Sequence, residues 1–228
     1  MKHVWSLIGL MLWLFSLVAC VTPPSQPIVV RGPATTGPQA PSPNVAFVPD
    51  MTFTVCRGLR VQNAPSHDRN GDIYAYSQLV VYEGRVAIAP KPLNGGCLSS
   101  GFGQRNGRLH EGIDISAPLG TWVFAAAPGR VLEAGWAGGY GYQIVLSHGY
   151  GLFTRYAHLS AFAEGLNIGD EVGFGTLIGQ VGNSSTQRIG VHLHYEVLTG
   201  RYDTPEKSFG LTAQDPFSLP AYIPPPSS

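Results

Sequence analysis

The chain has 228 residues, with 14 lysines and arginines against 14 aspartates and glutamates, so its formal net charge is zero and only 12% of its residues are charged. That balance argues against nucleic-acid binding through a basic surface; a polymeric anion would have to be held by shape, hydrogen bonds and aromatic faces. The length allows one ordinary domain plus extensions, and 29 glycines among short alternating runs favour turns and strands over long helices.

The chain opens with Lys2 and His3, runs through an apolar stretch from Leu7 to Phe15, and reaches Leu17-Val18-Ala19-Cys20. A weakly basic start, a short apolar core and a small-residue site predict a secretory signal peptide over residues 1–19. The apolar stretch is too short for an ordinary membrane-spanning helix. The Leu17-Val18-Ala19-Cys20 box resembles a bacterial lipoprotein signal, which implies cleavage before Cys20 and acylation of that residue. Val21 rather than Asp follows the cysteine, so the implied destination in a Gram-negative host is the outer membrane, facing the periplasm. A plain signal peptide with an incidental cysteine is the alternative.

Residues 20–49 are rich in Pro, Ser, Thr and Gly with little charge, and read as an acylated cysteine followed by a semi-extended tether. At about 3.1 Å per residue its upper reach is on the order of 80 Å. Residues 50–96 read as a small β extension, with strands expected at Met51–Val55 and Tyr74–Val81 around a turn at His67–Asp72. That turn is only faintly like a calcium loop, since its glycine is at the fourth position and no glutamate closes it. The extension could be an added sheet edge, a wall for substrate or an inhibitory flap. Acylation of Cys20 leaves Cys56 and Cys97 as a possible disulfide pair, closing a loop of about 42 residues and contributing roughly 4 kcal/mol. Zinc binding by the cysteines is the rival reading, disfavoured because no Cys-x-x-Cys spacing is present.

Residues 97–205 form the main predicted domain, and residues 206–228 a Pro-rich tail. Strands are expected at Thr121–Ala127, Gly129–Ala134, Gln143–Ser147, Leu152–His158, Leu177–Val181 and Val191–Leu198. The predicted architecture is mostly β: a twisted antiparallel sheet with loops framing a groove. In the Leu152 strand, alternation sets Thr154, Tyr156 and His158 on the groove face. In the last strand, His192, His194 and Glu196 share one face and Leu193, Tyr195 and Val197 the other. Residues two apart lie about 6.6 Å from each other, close enough for one imidazole to bind a metal and the next to reach its water. His110 and Asp114 would stand about 13 Å apart on a straight strand, and Gly112 between them permits the bend that brings them together. Trp136, Tyr140, Tyr142 and Tyr156 are candidate substrate contacts, as is the polar loop Asn183–Arg188.

The runs Ser100-Gly101-Phe102-Gly103-Gln104-Arg105, His110-Glu111-Gly112-Ile113-Asp114, Ala117-Pro118-Leu119-Gly120-Thr121, Ser147-His148-Gly149, Tyr156-Ala157-His158-Leu159 and Gly190-Val191-His192-Leu193-His194-Tyr195-Glu196 resemble, in order, the motifs of the M23 (LytM/lysostaphin-type) zinc metallopeptidases. The resemblance spans about residues 97–200. It implies one Zn2+ held by His110, Asp114 and His194, with His158 and His192 as catalytic residues flanking the metal-bound water. His192 is then read as general base and His158 as transition-state stabiliser. Tyr156, Asn183 and Tyr140 become substrate contacts, His148 a packing or supporting residue, and Glu196 either the orienter of a ligating imidazole or a solvated carboxylate. The departure is Gly190-Val191, where the family often has Gly-Pro. The implied activity is zinc-dependent hydrolysis of peptidoglycan cross-links, probed against two rivals: a non-catalytic LytM-like protein that binds cell wall or activates an amidase, and a zinc endopeptidase acting on proteins.

Overall fold

The computed structural model describes residues 35–105, 107–204 and 209–224; Cys20 and the signal peptide lie outside the described residues. Short alternating runs punctuated by glycine produce strands, and there is no α-helix among the described residues. In chain order the strands are β1 (Gln39–Ala40), β2 (Val80–Tyr82), β3 (Val86–Ile88), β4 (Cys97–Ser100), β5 (Gly103–Arg105), β6 (Arg108–His110), β7 (Ile113–Ser116) and β8 (Trp122–Phe124). They continue as β9 (Gly129–Ala137), β10 (Gly141–Ser147), β11 (Leu152–Leu159), β12 (Ala161–Ala163), β13 (Glu171–Val172), β14 (Leu177–Gln180), β15 (Leu193–Thr204) and β16 (Phe209–Gln214).

The main sheet runs β13-β9-β10-β11-β15-β7-β4. At 12 residues β15 is long enough to carry β7 against residues 193–195 and β16 against residues 197–204 on the same edge, with β11 along the other. A second sheet runs β1-β12-β14-β8. One apolar cluster joins the two, including Ile113, Ile115, Leu193 and Tyr195 from the main sheet and Val123, Phe162 and Ile178 from the second. Each such fully buried side chain contributes about 1.5–3 kcal/mol. The expected β architecture is the observed one.

The extension packs into this same cluster through Phe53, Ile73, Val80, Ile88 and Leu93. Its first part runs beside β4: Leu98 N–H donates to Thr54 O, Cys56 N–H to Leu98 O and Gly101 N–H to Gln62 O. A disulfide joins Cys56 to Cys97. None of the residues lining the groove described below comes from the extension, so its position is that of a sheet edge. Its strands differ from expectation. Met51–Val55 makes only isolated bridges, and the regular hairpin is β2–β3. Glu83 and Gly84 both take positive φ in the tight turn that closes it, where Arg85 N–H donates to Tyr82 O, the pair of positive φ values a type I′ turn requires.

Composition hides two docked segments. Residues 35–49 lie along the domain: β1 pairs with β12, Phe47 stacks on Phe124 at 4.9 Å, and just beyond, Asp50 pairs with the buried Lys91. The reach of a free tether therefore does not apply to them. At the other end β16 is a sheet strand, and the proline-rich run after it crosses the β2 region, where Val81 N–H donates to Pro220 O and Tyr222 N–H to Leu79 O.

His148 has the packing role. It is buried, its Nδ1–H donates to Pro128 O at 2.7 Å, and its Nε2 lies 2.8 Å from Thr154 Oγ1. Burial depresses its pKa below 6.5, opposed by the Pro128 bond. Above pH 6.5 the ring is neutral in both folded and unfolded states. Below it the unfolded chain takes up a proton that the folded chain refuses, so stability falls as pH falls. The unfolding free energy of the parent should drop more steeply between pH 6.5 and 5 than that of His148→Gln, by up to about 1.4 kcal/mol per pH unit. Parallel curves would contradict this.

Candidate metal centre and groove

Register brings the ligand candidates together. His194 on β15 stands directly opposite Asp114 on β7, and side chains of such a pair share a face with Cβ atoms about 5 Å apart. His194 Nδ1 is 2.8 Å from Asp114 Oδ1. His110 closes the set from the end of β6, its Nε2 3.1 Å from Asp114 Oδ1 and 3.2 Å from His194 Nδ1. The bend between β6 and β7 is at Glu111-Gly112, and its cause is close approach: a Cβ on Gly112 would meet Tyr195 O at 2.3 Å and Glu196 Cγ at 2.9 Å. Gly112→Ala should therefore push this link off β15, lowering stability by about 1–3 kcal/mol and weakening metal uptake, both measurable by thermal unfolding with and without added Zn2+. An unchanged midpoint and metal affinity would contradict this geometry.

The tautomers follow from fixed acceptors. His110 Nδ1–H donates to Gly101 O at 2.7 Å, leaving the Nε2 lone pair toward Asp114. His194 Nε2–H donates to Glu196 Oε1 at 2.9 Å, leaving the Nδ1 lone pair toward Asp114. With both rings neutral, as metal binding requires, two imidazole lone pairs and a carboxylate oxygen converge, and the three ligand atoms lie within 4.8 Å of one another. Such a donor set fits a cation, and two nitrogens with one carboxylate oxygen suit zinc. Burial would raise the Asp114 pKa, but the His110 and His194 rings beside it outweigh burial and hold the carboxyl well below the usual range. The buried His194 ring is pushed up to about 9, because Asp114 and Glu196 outweigh desolvation.

Two further imidazoles stand beside this cluster. His192 is half-buried at the start of β15, with Nδ1–H donating to Gly190 O at 2.9 Å and Nε2 3.6 Å from Asp114 Oδ1. Burial lowers its pKa, against the pull of Asp114. The His158 ring centroid is 4.8 Å from that of His192 and 5.8 Å from that of His194. Its Nδ1–H donates to Ser184 O at 2.9 Å. Burial, then the neighbouring His192, lowers its pKa to about 4.

The expected alternation on β11 is corrected here. Arg155 and Ala157 oppose Glu196 and His194, so these face the groove and Tyr156 faces the core opposite Tyr195. Tyr156 is fully buried, its hydroxyl accepting from Ala126 N–H at 2.8 Å, and it is no substrate contact. His158 reaches the groove because its backbone turns left-handed, at φ 61°. A non-glycine residue held there costs on the order of 1–3 kcal/mol. Ser184 pins the turn, its Oγ donating to Leu159 O at 2.7 Å and accepting from Tyr142 N–H at 2.9 Å.

The cluster forms the floor of an open groove of about 750 Å³, walled by Arg105, Arg108, Glu111, Tyr140, Gln187 and Ile189 among others. Tyr140 lines the groove. Asn183 is exposed but stands outside the lining, and the loop contributes Ser185 and Gln187 instead. Trp136 and Tyr142 pair edge-to-face away from the groove. Glu196 is not solvated: it is fully buried, with Oε1 on His194 and Tyr140 and Oε2 2.7 Å from Arg155 Nη1. The roles of Gly101, Ser184 and Arg155 are not legible in the sequence, because only backbone geometry and register supply them.

Fold and site together define a β-sheet protein with two histidines and an aspartate converging in a groove. Residues 108–205 match the family model described as Peptidase family M23. Over 108 residues it is 45% identical to the DD-carboxypeptidase/endopeptidase Mpg of Neisseria meningitidis serogroup B, a match covering 43% of this chain and 24% of Mpg. Over 120 residues it is 37% identical to the lipoprotein YgeR of Escherichia coli, covering 52% of this chain and 41% of that one. The chain thus spans about a quarter of the first relative's length and two-fifths of the second's. Among solved structures, the catalytic domain of the antimicrobial peptidase lysostaphin from Staphylococcus simulans is 33% identical, with a TM-score of 0.46 over 53% of this chain and 89% of that one.

Proposed function

We propose that the chain is a zinc-dependent endopeptidase that hydrolyses peptide cross-links of bacterial peptidoglycan, with the D-alanyl–diaminopimelate bond as its target. The carrying observation is the convergence of His110 Nε2, Asp114 Oδ1 and His194 Nδ1 beneath a groove, with two more imidazoles alongside. The name of the Mpg relative, a DD-carboxypeptidase/endopeptidase, supports the substrate class. The lipoprotein name of YgeR supports a lipid-anchored protein; Cys20 as the acylated residue and the outer membrane as its site rest on the Leu17-Val18-Ala19-Cys20-Val21 sequence.

His110, Asp114 and His194 would hold the zinc. When bound, zinc supplies a Lewis acid that polarises a carbonyl and lowers the pKa of water toward about 7. His192, the flanking imidazole whose Nε2 lies 3.6 Å from Asp114 Oδ1, accepts the proton of the attacking water at Nε2 and returns it from Nε2 to the departing amine. His158 enters neutral, its Nδ1–H committed to Ser184 O. It helps the developing oxyanion only through a proton on Nε2, which makes its contribution the more sensitive to pH. Asp114 also receives Arg105 Nη1 at 3.4 Å from Oδ2, which keeps the carboxylate oriented. A non-catalytic cell-wall role gains no support from a complete ligand set.

The test is mass spectrometry of products from purified cross-linked muropeptide dimers incubated with the zinc-loaded chain. Monomers whose masses locate cleavage at the D-alanyl–diaminopimelate bond are expected. Intact dimers alongside cleaved protein substrates would reject the reading.

A further inference from the structure

Beneath His194 lies a set of polar groups that the reaction does not use. Arg155 on β11 and Glu196 on β15 are direct cross-strand partners, and both side chains are out of water, at 2% and 0% exposure. Two buried charges are costly unless each is paired and hydrogen-bonded, so a pair of this kind beside a ligand calls for an account. Glu196 divides its oxygens: Oε2 takes Arg155 Nη1 at 2.7 Å, and Oε1 takes both His194 Nε2–H and the Tyr140 hydroxyl, each at 2.9 Å. Tyr140 comes from the turn between β9 and β10, a third element, and its ring covers the Arg155 guanidinium at 4.2 Å. Gly112 closes the set from above, with no room for a Cβ against Glu196.

We propose that Arg155, Glu196 and Tyr140 are positioning residues that lock the His194 ring with Nδ1 toward Asp114. This rests on the reading that the cluster holds a metal. Glu196 accepts the Nε2 proton and so fixes the tautomer. Arg155 keeps the carboxylate anchored from the opposite strand, which stops the ring from rotating about its Cβ. Tyr140 shields the guanidinium from the groove while its hydroxyl points the carboxylate at the ring. Such outer partners of ligating histidines typically change metal affinity by about 10–100-fold.

The experiment uses Co2+ as the probe, measuring its dissociation constant by chelator competition and its visible absorption envelope, for the parent and for Glu196→Gln, Arg155→Lys and Tyr140→Phe. Glu196→Gln and Arg155→Lys should bind Co2+ about 10–100-fold more weakly with a changed envelope, and Tyr140→Phe about fivefold more weakly. A purely structural role would lower the thermal midpoint and leave the envelope of the folded protein unmoved. Affinities within twofold of the parent and an identical envelope would overturn the proposal while leaving the metal site standing. A parent that takes up no Co2+ would overturn both. Should the buried-pair variants fail to fold, Tyr140→Phe, whose side chain is only half-buried at the groove wall, decides: weaker binding supports the proposal and parental binding overturns it.

Discussion

His194→Ala is expected to lose stoichiometric zinc and to lower turnover by more than about 100-fold, beyond the loss from removing a ligand's outer partner. Removing this ring takes away one of three converging lone pairs and the proton donor to Glu196 Oε1 together. The apolar cluster on the other face of β15, with Leu193, Tyr195 and Val197, is untouched, so the fold should survive. His148→Gln is the matched control, a buried histidine bonded to Pro128 and Thr154 and outside the groove; it should keep zinc and activity. Zinc content by atomic absorption and turnover measured on the same samples check the pair. Full zinc occupancy and activity in His194→Ala would contradict the assignment.

Replacing Cys56 and Cys97 together by serine should lower stability by about 4 kcal/mol in the chain-entropy treatment of the loop they close. For a domain of this size, that is a fall in thermal midpoint of about 8–16 °C. The bridge fastens the run from Thr54 to Gln62 along β4, and β4 leads directly into Gly101, whose carbonyl holds His110 Nδ1–H. A Cβ on Gly101 would meet Asn63 O at 1.9 Å, so the two segments touch without slack. The variant should accordingly bind zinc less tightly as well as melt earlier. Thermal scans of the oxidised parent, the reduced parent and the double variant check this; equal midpoints would contradict it.

The sequence is most informative where one local rule decides. Alternation alone put His192, His194 and Glu196 on one face of the last strand, and the glycine between His110 and Asp114 marked the bend that unites them. Where register decides, it is silent. Nothing local says that Arg155 will face Glu196, yet that pairing turns β11 over, buries Tyr156 and leaves His158 to reach the groove through a left-handed backbone. Composition also misleads when an apolar residue or two suffices to dock a polar run. Phe47 ties down a segment otherwise made of prolines and small or polar residues with two valines, and Phe217, 6.0 Å from Phe53, does the same after β16. The hairpin β2–β3 was hidden because Glu83 takes the positive φ that a turn-favouring asparagine would usually supply.

The central claim is that one metal ion at His110, Asp114 and His194 powers cleavage of a cell-wall cross-link. Its most direct measurement is a titration: strip the protein with chelator, return Zn2+ in fractions of an equivalent, and record monomer release from cross-linked muropeptide dimers. Activity should be absent at the start, rise linearly and level off at about one equivalent per chain, the stoichiometry of a single three-ligand site. Release that is already complete before metal is returned, or that stays at zero with one equivalent bound, would contradict it.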